Sequence, residues 1–357
     1  RTGLARAGHE VSHAIKRRTR TNQSLPQGVK PYDRASPWFA YVLDRYQVNL
    51  DAMAAAAAAR KVPFILCTVP SNLAEWPPVW RGLSADPSRP ERDTELSALS
   101  DRVAEGAWAD AIRLADSLAE RDPDIAYVAY VTGRCRQADG DAAGAASGLV
   151  RARDLDPIPW RAGTAINQAV RTVANEHAEV VLADVDAALV RHAPDGLPGF
   201  ESFDDNCHPT PLGNAVIVRV LLDRLVQAGV LEPRGSMPDD PAAWLEAYRA
   251  TLGTPAYVAA LDARRRLRSG VYCMKHPFLA FDASERHLQA ALEASPGMWE
   301  AWGNLGALRL LEQRWDEGHL LLDHAETLRG LPLDPDDIST VPYLAEALRR
   351  AQGDLAP

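Results

Sequence analysis

An uninterrupted apolar run from Val62 to Val69 constrains the fold of this chain more than any other feature. A strand without polar alternation is typical of a parallel sheet whose two faces are both buried. The preceding segment, Tyr46 to Arg60, has the composition of a helix and contains six consecutive alanines. Helix, short turn and buried strand form half of a βαβ unit, so the sequence predicts an α/β domain.

A second segment of the same kind lies further along the chain. Thr164 to His177 predicts a helix, Glu179 to Val185 predicts a buried strand, and Leu212 to Gln227 predicts a final amphipathic helix. We therefore expect the α/β material to be divided between residues 1–92 and residues 159–232.

The segments 93–158 and 240–357 carry helical patterns only. Small residues recur there at the spacing of a tetratricopeptide-like repeat, whose period is about 34 residues. They let the two helices of a repeat approach closely. These residues are Gly133, Ala145, Gly306 and Ala325. We expect inserted repeat-like helices in the first segment and a C-terminal repeat array in the second, with ordinary helical hairpins as the alternative.

Length, charge and cysteine spacing limit the functional classes. The 357 residues correspond to about two to three domains. The formal net charge of −9 argues against a general nucleic-acid binder. No apolar run is long enough to span a bilayer, and no signal peptide is visible. The cysteines share no C-x-x-C spacing, which predicts neither a disulfide framework nor a structural zinc site.

Two polar residues follow the first predicted strand. Ser71 and Asn72 come directly after Pro70, where the strand ends. Because the carboxyl ends of parallel strands form the ligand crevice of an open α/β sheet, we expect both residues to line a substrate site. The alternative is that they only cap a loop.

An Asp-x-x-His block precedes the final helix. Asp205 and His208 lie in one loop, and a histidine that acts as a general base needs an acid to fix its tautomer and hold its ring. The spacing predicts such an acid–base pair, with Asp204 as the alternative acid. A second interpretation is a polar loop in which an aspartate caps the final helix.

These features together resemble the SGNH (GDSL-type) hydrolases, and more closely the subgroup that carries tetratricopeptide repeats. The resemblance rests on the block from Asp205 to Thr210, the strand that ends in Pro70-Ser71-Asn72, and the helical repeats. It implies a flavodoxin-like three-layer α/β/α fold, incomplete here, joined to all-α repeats.

The resemblance also implies a catalytic role for the block. His208 would be the general base and Asp205 its orienting acid, in an enzyme that cleaves an ester-linked acyl group from a small molecule or a polymer. Neither a metal ion nor an organic cofactor is implied. The repeats would bind a protein partner or position the substrate.

The chain departs from this family at the nucleophile. The family's serine lies in a Gly-Asp-Ser-type motif after the first strand, and its oxyanion donors lie in two further blocks; we find none of them before Val62. We therefore expect the chain to be a fragment whose nucleophile lies upstream of Arg1, where a membrane anchor is also compatible with the sequence. Ser117 follows Ala115-Asp116 and imitates the motif, but inside a predicted helix.

Two other functional classes remain open. A degenerate hydrolase domain would leave a non-catalytic repeat scaffold. The run His9-Glu10-Val11-Ser12-His13 has the H-E-x-x-H form of a zinc peptidase. Because Lys16 and Thr19 stand where the extended motif has glycine and histidine, and a cation-rich run follows His13, we favour a surface helix for this segment.

Overall fold

The computed structural model describes residues 36–78, 90–104, 107–158, 160–232, 239–275, 280–337 and 339–351. These residues are mostly helical, with two short parallel strands. They divide into two compact units, an N-terminal unit within residues 36–248 and a C-terminal unit within residues 249–351. Within the described ranges, no helix combines the length and apolar composition needed to cross a bilayer.

The N-terminal unit places its two strands far apart in sequence. Its elements in chain order are α1 (Pro37–Ala59), β1 (Phe64–Cys67), α2 (Pro90–Ala104), α3 (Trp108–Arg121), α4 (Ala126–Ala138), α5 (Ala142–Leu155), α6 (Thr164–Glu176), β2 (Val180–Ala183), α7 (Val185–His192), a 3-10 turn (Pro194–Gly196) and α8 (Pro211–Gln227). Helix α9 (Pro241–Leu252) follows. The strands come from the two segments in which the sequence predicts α/β structure.

Strands β1 and β2 pair in parallel, and helices pack on both faces of the pair. Phe64 lies opposite Val180, and Cys67 lies opposite Ala183. On one face Leu66 packs with apolar residues of α1 and α6. On the other, Ile65 packs against apolar residues of α7 and α8 and against Phe203 of the loop between them. Apolar packing on both faces explains why the strands lack polar alternation.

Both strands are shorter than the apolar runs suggest. After Cys67, the main chain of Val69 pairs with the side chain of Asn167 on α6, which accepts from the amide at 2.8 Å and donates to the carbonyl at 3.0 Å. This side chain acts in place of a neighbouring strand. Residues 185–192, which include the end of the predicted second strand, form helix α7, capped by Asp184.

A polar network ties the carboxyl ends of the two strands together. The hydroxyl of Thr68 donates to Asp184 at 2.9 Å and accepts from the amide of Asp186 at 2.9 Å. Arg171 donates two hydrogen bonds to Asp184, both at 2.9 Å, and a third to Asp186 at 3.1 Å. The hydrogen bonds from Arg171 lower the pKa of Asp184 to about 2.

Helices α4 and α5 form a close-packed hairpin inserted between the strands. A Cβ atom on Gly133 would lie 2.8 Å from Cγ of Leu149, and one on Gly148 would lie 2.8 Å from Cα of Gly133. Only glycine permits this approach of the two backbones. The hairpin also packs on the loop after β1, through Leu149 and Leu73.

The C-terminal unit repeats this hairpin geometry. After α9 come α10 (Pro255–Met274), α11 (Phe281–Ala294), α12 (Trp299–Leu311), α13 (Trp315–Arg329) and α14 (Leu344–Ala351). Gly306 on α12 faces Gly318 on α13, and a Cβ on either would lie 3.1 Å from the carbonyl oxygen of the other. Ala325 is fully buried in the same hairpin. The close crossings lie where the sequence places small residues, which is compatible with helical repeats.

We predict that Gly318→Ala destabilises the C-terminal unit. The added methyl group would lie 2.7 Å from Cγ of Leu310. Overpacking costs about 1–3 kcal/mol, which offsets the gain of about 1 kcal/mol from the helix propensity of alanine. Chemical denaturation should show a lower free energy of unfolding. Gly297→Ala is the control, because a methyl group added there would have no atom within 4 Å; equal stability of the two variants would contradict the packing.

We predict that Asp184→Asn weakens the fold by about 2 kcal/mol at pH 7, since the folded-state pKa of about 2 lies below the unfolded value of about 4. A depressed carboxyl pKa contributes stability that is present above the unfolded pKa and is lost as the pH falls through the folded pKa. The difference between wild type and variant, measured by denaturation at several pH values, should therefore shrink between about pH 4 and pH 2. Asp223→Asn, in an exposed pair with Arg219, is the control and should change stability by less than about 0.5 kcal/mol. A pH-independent difference for Asp184→Asn would contradict the network.

Candidate active site

The loop between the 3-10 turn and α8 brings Asp205 and His208 together. Oδ2 of Asp205 lies 2.6 Å from Nδ1 of His208. The other carboxylate oxygen, Oδ1, accepts from the amides of Cys207 and His208, both at 2.8 Å. The carboxylate therefore has three hydrogen bonds from its own loop, and its orientation towards the imidazole ring is fixed.

Local sequence explains the shape of this loop. An aspartate whose side chain accepts amides two and three residues later forms a tight turn. The amide of Asp204 closes the turn by donating to the carbonyl of His208 at 2.8 Å. Gly213 is needed just beyond the turn, because a Cβ there would lie 2.2 Å from the carbonyl oxygen of Ser202.

The two alternatives for this block are not what the structure shows. Asp205, not Asp204, contacts the His208 ring. The cap of α8 is Thr210, whose hydroxyl accepts from the amide of Gly213 at 3.1 Å, so no aspartate caps this helix.

The pair is buried at one end and exposed at the other. The Asp205 side chain is 5% exposed, whereas that of His208 is 65% exposed. A buried carboxylate at Nδ1 selects the tautomer that carries its proton there, so Nε2 is the ring nitrogen that can take a proton from a reactant. This arrangement suits a general base held by an orienting acid.

Asn72 supports the pair from the loop after β1. Its side-chain amide donates to the carbonyl of Asp205 at 3.2 Å, and its own main-chain amide donates to the carbonyl of Asn206 at 3.0 Å. Oδ1 of Asn72 accepts from the amide of Glu75 at 3.0 Å. Asn72 is fully buried and Ser71 is 2% exposed, with a hydroxyl that makes no hydrogen bond. A direct contact of either side chain with substrate stays a prediction.

A buried arginine holds this supporting loop. Nη1 of Arg161 donates to the carbonyls of Asn72 and Trp76 at 3.0 and 2.9 Å. Nη2 lies 3.5 Å from the buried carboxylate of Asp156. Burial lowers the pKa of Arg161, while the charge of Asp156 opposes that shift. Arg161 therefore links the loop after β1 to the segment before α6.

A cavity of about 370 Å³ lies beside the same loop. Two carboxylates near it fix the chain around Gly199: Glu75 accepts from the amide of Phe200 at 2.7 Å, and Glu201 accepts from the amide of Gly199 at 2.8 Å. The residues that line the cavity include Ala74, Glu75, Trp108, Arg134, Gln137 and Glu201. His208 does not line this cavity, so the cavity is separate from the exposed imidazole.

Cys207 adds a thiol next to the pair. Its Sγ lies 3.9 Å from Nδ1 of His208. Burial and the charge of Asp205 raise the pKa of this thiol to about 11. Among the described residues, Asp205, Cys207 and His208 form a group whose ligand atoms all lie within 4.8 Å of one another. The other candidate metal ligands, His9 and His13, lie outside the described residues.

Neither Ser117 nor Ser71 has the position of a nucleophilic serine. Ser117 lies in the middle of α3, where a hydroxyl lacks the exposed strand-to-helix turn that nucleophilic serines use. The Ser71 hydroxyl is buried and makes no hydrogen bond, so it is not bonded to His208.

Comparison with known proteins gives no assignment. No protein-family model, no curated protein and no solved structure matches this chain.

Sequence reasoning did not single out Arg161 or Asn167. Both lie in the stretch around the start of α6, and their roles depend on main-chain groups that come from the distant loop after β1. Every residue type offers a main-chain carbonyl. A side chain that bonds to a main-chain group therefore produces no recognisable sequence pattern at the residue that supplies that group. The motif-like residues Asp205 and His208 were detectable because both partners lie within four positions.

We predict that Arg161→Met lowers the free energy of unfolding by about 3–5 kcal/mol, because it removes the guanidinium beside the buried Asp156 carboxylate and the hydrogen bonds to the carbonyls of Asn72 and Trp76. Chemical denaturation is the measurement. Arg151→Met serves as the control, since Arg151 pairs with Asp124 at the exposed surface. A loss for Arg161→Met no larger than that of the control would show that the buried ion pair does not hold the loop.

Proposed function

We propose that Asp205 and His208 are the acid–base part of a serine ester hydrolase of the SGNH type. The observation that carries the proposal is the 2.6 Å contact between a buried, triply hydrogen-bonded carboxylate and an exposed imidazole. Pairing of this kind is the arrangement that an imidazole needs in order to act as a general base. The substrate class is a small molecule or a polymer with an ester-linked acyl group.

The chemistry assigned to the pair is proton transfer to and from an attacking serine. Nε2 of His208 takes the proton of the serine hydroxyl as the oxygen attacks the ester carbonyl, and the Asp205 carboxylate stabilises the imidazolium that forms. The imidazolium then gives that proton to the departing alcohol, which leaves an acyl-serine. Water attacks the acyl group, and the same ring accepts and returns a proton to release the acid.

The fold around the pair is compatible with this proposal. The loop after β1, which begins at the carboxyl end of the strand, contacts the Asp205–His208 loop through Asn72. Carboxyl ends of parallel strands are where open α/β sheets bind their ligands. The finer assignment, an incomplete flavodoxin-like three-layer sandwich, belongs to the same proposal; two parallel strands with helices on both faces support it.

A repeat scaffold is the second candidate function. It is favoured by the glycine-mediated hairpins, Gly133 with Gly148 and Gly306 with Gly318, which resemble one another in the two units. In this alternative the helices would present a surface to a protein partner, and the hydrolase-like part would be inactive.

The proposal predicts that a fluorophosphonate probe labels one serine and that His208→Ala abolishes this labelling. The probe reacts with serine hydroxyls that a base activates, so loss of His208 should slow labelling by at least about a hundredfold, and Asp205→Asn should also slow it strongly. The protein is produced from its complete natural reading frame. Peptide mapping by mass spectrometry then identifies the labelled serine, and p-nitrophenyl acetate hydrolysis is followed in parallel.

The matched control is His177→Ala. His177 also pairs with an aspartate, since its Nε2 lies 3.1 Å from Oδ1 of Asp51, but it lies at the end of α6 and not in the candidate site. This variant should keep full labelling. Equal labelling of His177→Ala and His208→Ala would refute the assigned base, and no labelled serine in folded wild-type protein would favour the scaffold.

A further inference from the structure

Three different metal-ligating side chains lie within four consecutive residues of the candidate site. Sγ of Cys207 lies 3.9 Å from Nδ1 of His208, which in turn lies 2.6 Å from Oδ2 of Asp205. All three ligand atoms lie within 4.8 Å of one another. We infer that this group is an inhibitory zinc site, in which the ion takes the two atoms that form the Asp205–His208 hydrogen bond.

The ligand set matches the chemistry of Zn²⁺. Thiolate sulfur, imidazole nitrogen and carboxylate oxygen are its protein ligands, at bond lengths of about 2.0–2.3 Å in a tetrahedral arrangement. Those lengths imply separations of about 3.3–3.8 Å between ligand atoms. The Cys207–His208 separation is already close to this value.

A small movement of one exposed group completes the geometry. Nδ1 of His208 and Oδ2 of Asp205 must separate by about 1 Å to admit the ion, if the ligand spacing is that of a tetrahedral site. The His208 ring is 65% exposed and can rotate. The Asp205 carboxylate stays in place, because its Oδ1 accepts from the amides of Cys207 and His208. The exposure of His208 leaves the fourth coordination position to water.

Zinc binding replaces protons and involves no redox step. At Nδ1 of His208 the ion displaces the proton shared with Oδ2 of Asp205, and the neutral ring carries a proton on Nε2 instead; the ion also displaces the proton of the Cys207 thiol, which goes to solvent. With Nδ1 bound to the metal, Asp205 no longer stabilises an imidazolium. Inhibition of ester hydrolysis therefore rests on the proposed function, whereas binding of the metal does not.

Titration with Co²⁺ tests the site without any activity measurement. Cobalt is a spectroscopic substitute for zinc, and a cobalt–thiolate bond gives a charge-transfer band in the near ultraviolet. One equivalent of Co²⁺ should produce this band in the reduced wild-type protein, and added Zn²⁺ should remove it. In Cys207→Ser the band should be absent, and the affinity for Zn²⁺, measured by competition with a chromophoric chelator, should fall at least about tenfold.

Cys67→Ser is the matched control, because Cys67 is an exposed free thiol outside the group. It should keep the band. His208→Ala provides a second variant at an exposed side chain and should also weaken zinc binding at least about tenfold. Circular dichroism confirms that each variant is folded. Absence of the band in wild type, or its persistence in Cys207→Ser, would overturn the site.

An activity arm separates the two proposals. Zinc should inhibit p-nitrophenyl acetate hydrolysis by the wild-type protein, and a chelator should restore it; in Cys207→Ser the same zinc concentration should leave the rate of that variant unchanged. A cobalt band without any esterase activity would refute the hydrolase and retain the metal site. Esterase activity without a cobalt band would refute the metal site and retain the hydrolase.

Discussion

The buried side chain of Asn72 makes the contact on which the candidate site depends. It joins the loop after β1 to the Asp205–His208 loop, and the two come from segments separated by the inserted helices. One amide group satisfies a carbonyl on one side and an amide on the other. Because both loops are irregular, such side-chain hydrogen bonds supply the pairing that a sheet would otherwise provide.

The surrounding polar contacts serve the same purpose. Arg161 fixes the carbonyls of Asn72 and Trp76, and Asn167 fixes the main chain of Val69. A buried guanidinium is costly to desolvate, and the two carbonyls and the nearby Asp156 carboxylate offset part of this cost. The loop that contacts the Asp205–His208 loop is thus held by several hydrogen bonds, which is the support that the proposed general base would need.

Local chemistry was predictable from the sequence to the extent that both partners are close in the chain. The Asp205–His208 contact, the helix at Thr164 and the small residues at the helix crossings all follow from short spacings. The carboxyl end of β1 was not predictable in this way, because beyond Cys67 the side chain of Asn167 takes the place of a neighbouring strand. Helix α7 was also not predicted, since Val185 continues the apolar run of β2 while Asp184 already caps the helix.

Long-range contacts account for what the sequence could not indicate. Arg161 belongs to no sequence motif. Its role depends on contacts with Asn72, Trp76 and Asp156, which only the folded chain brings next to it. The burial of Ser71 and Asn72 was missed for a related reason: a residue at the carboxyl end of a strand is exposed unless another loop covers it. Here the chain around Pro198 does so, accepting hydrogen bonds from the amides of Leu73 and Ala74.

The tautomer of His208 tests the central claim most directly. Nitrogen-15 NMR of the imidazole, recorded with the ring neutral, distinguishes a proton on Nδ1 from a proton on Nε2. Pairing with Asp205 predicts the Nδ1-protonated form in wild type and a loss of that preference in Asp205→Ala. A neutral ring protonated on Nε2 in the wild-type protein would contradict the assignment of His208 as a base oriented by Asp205.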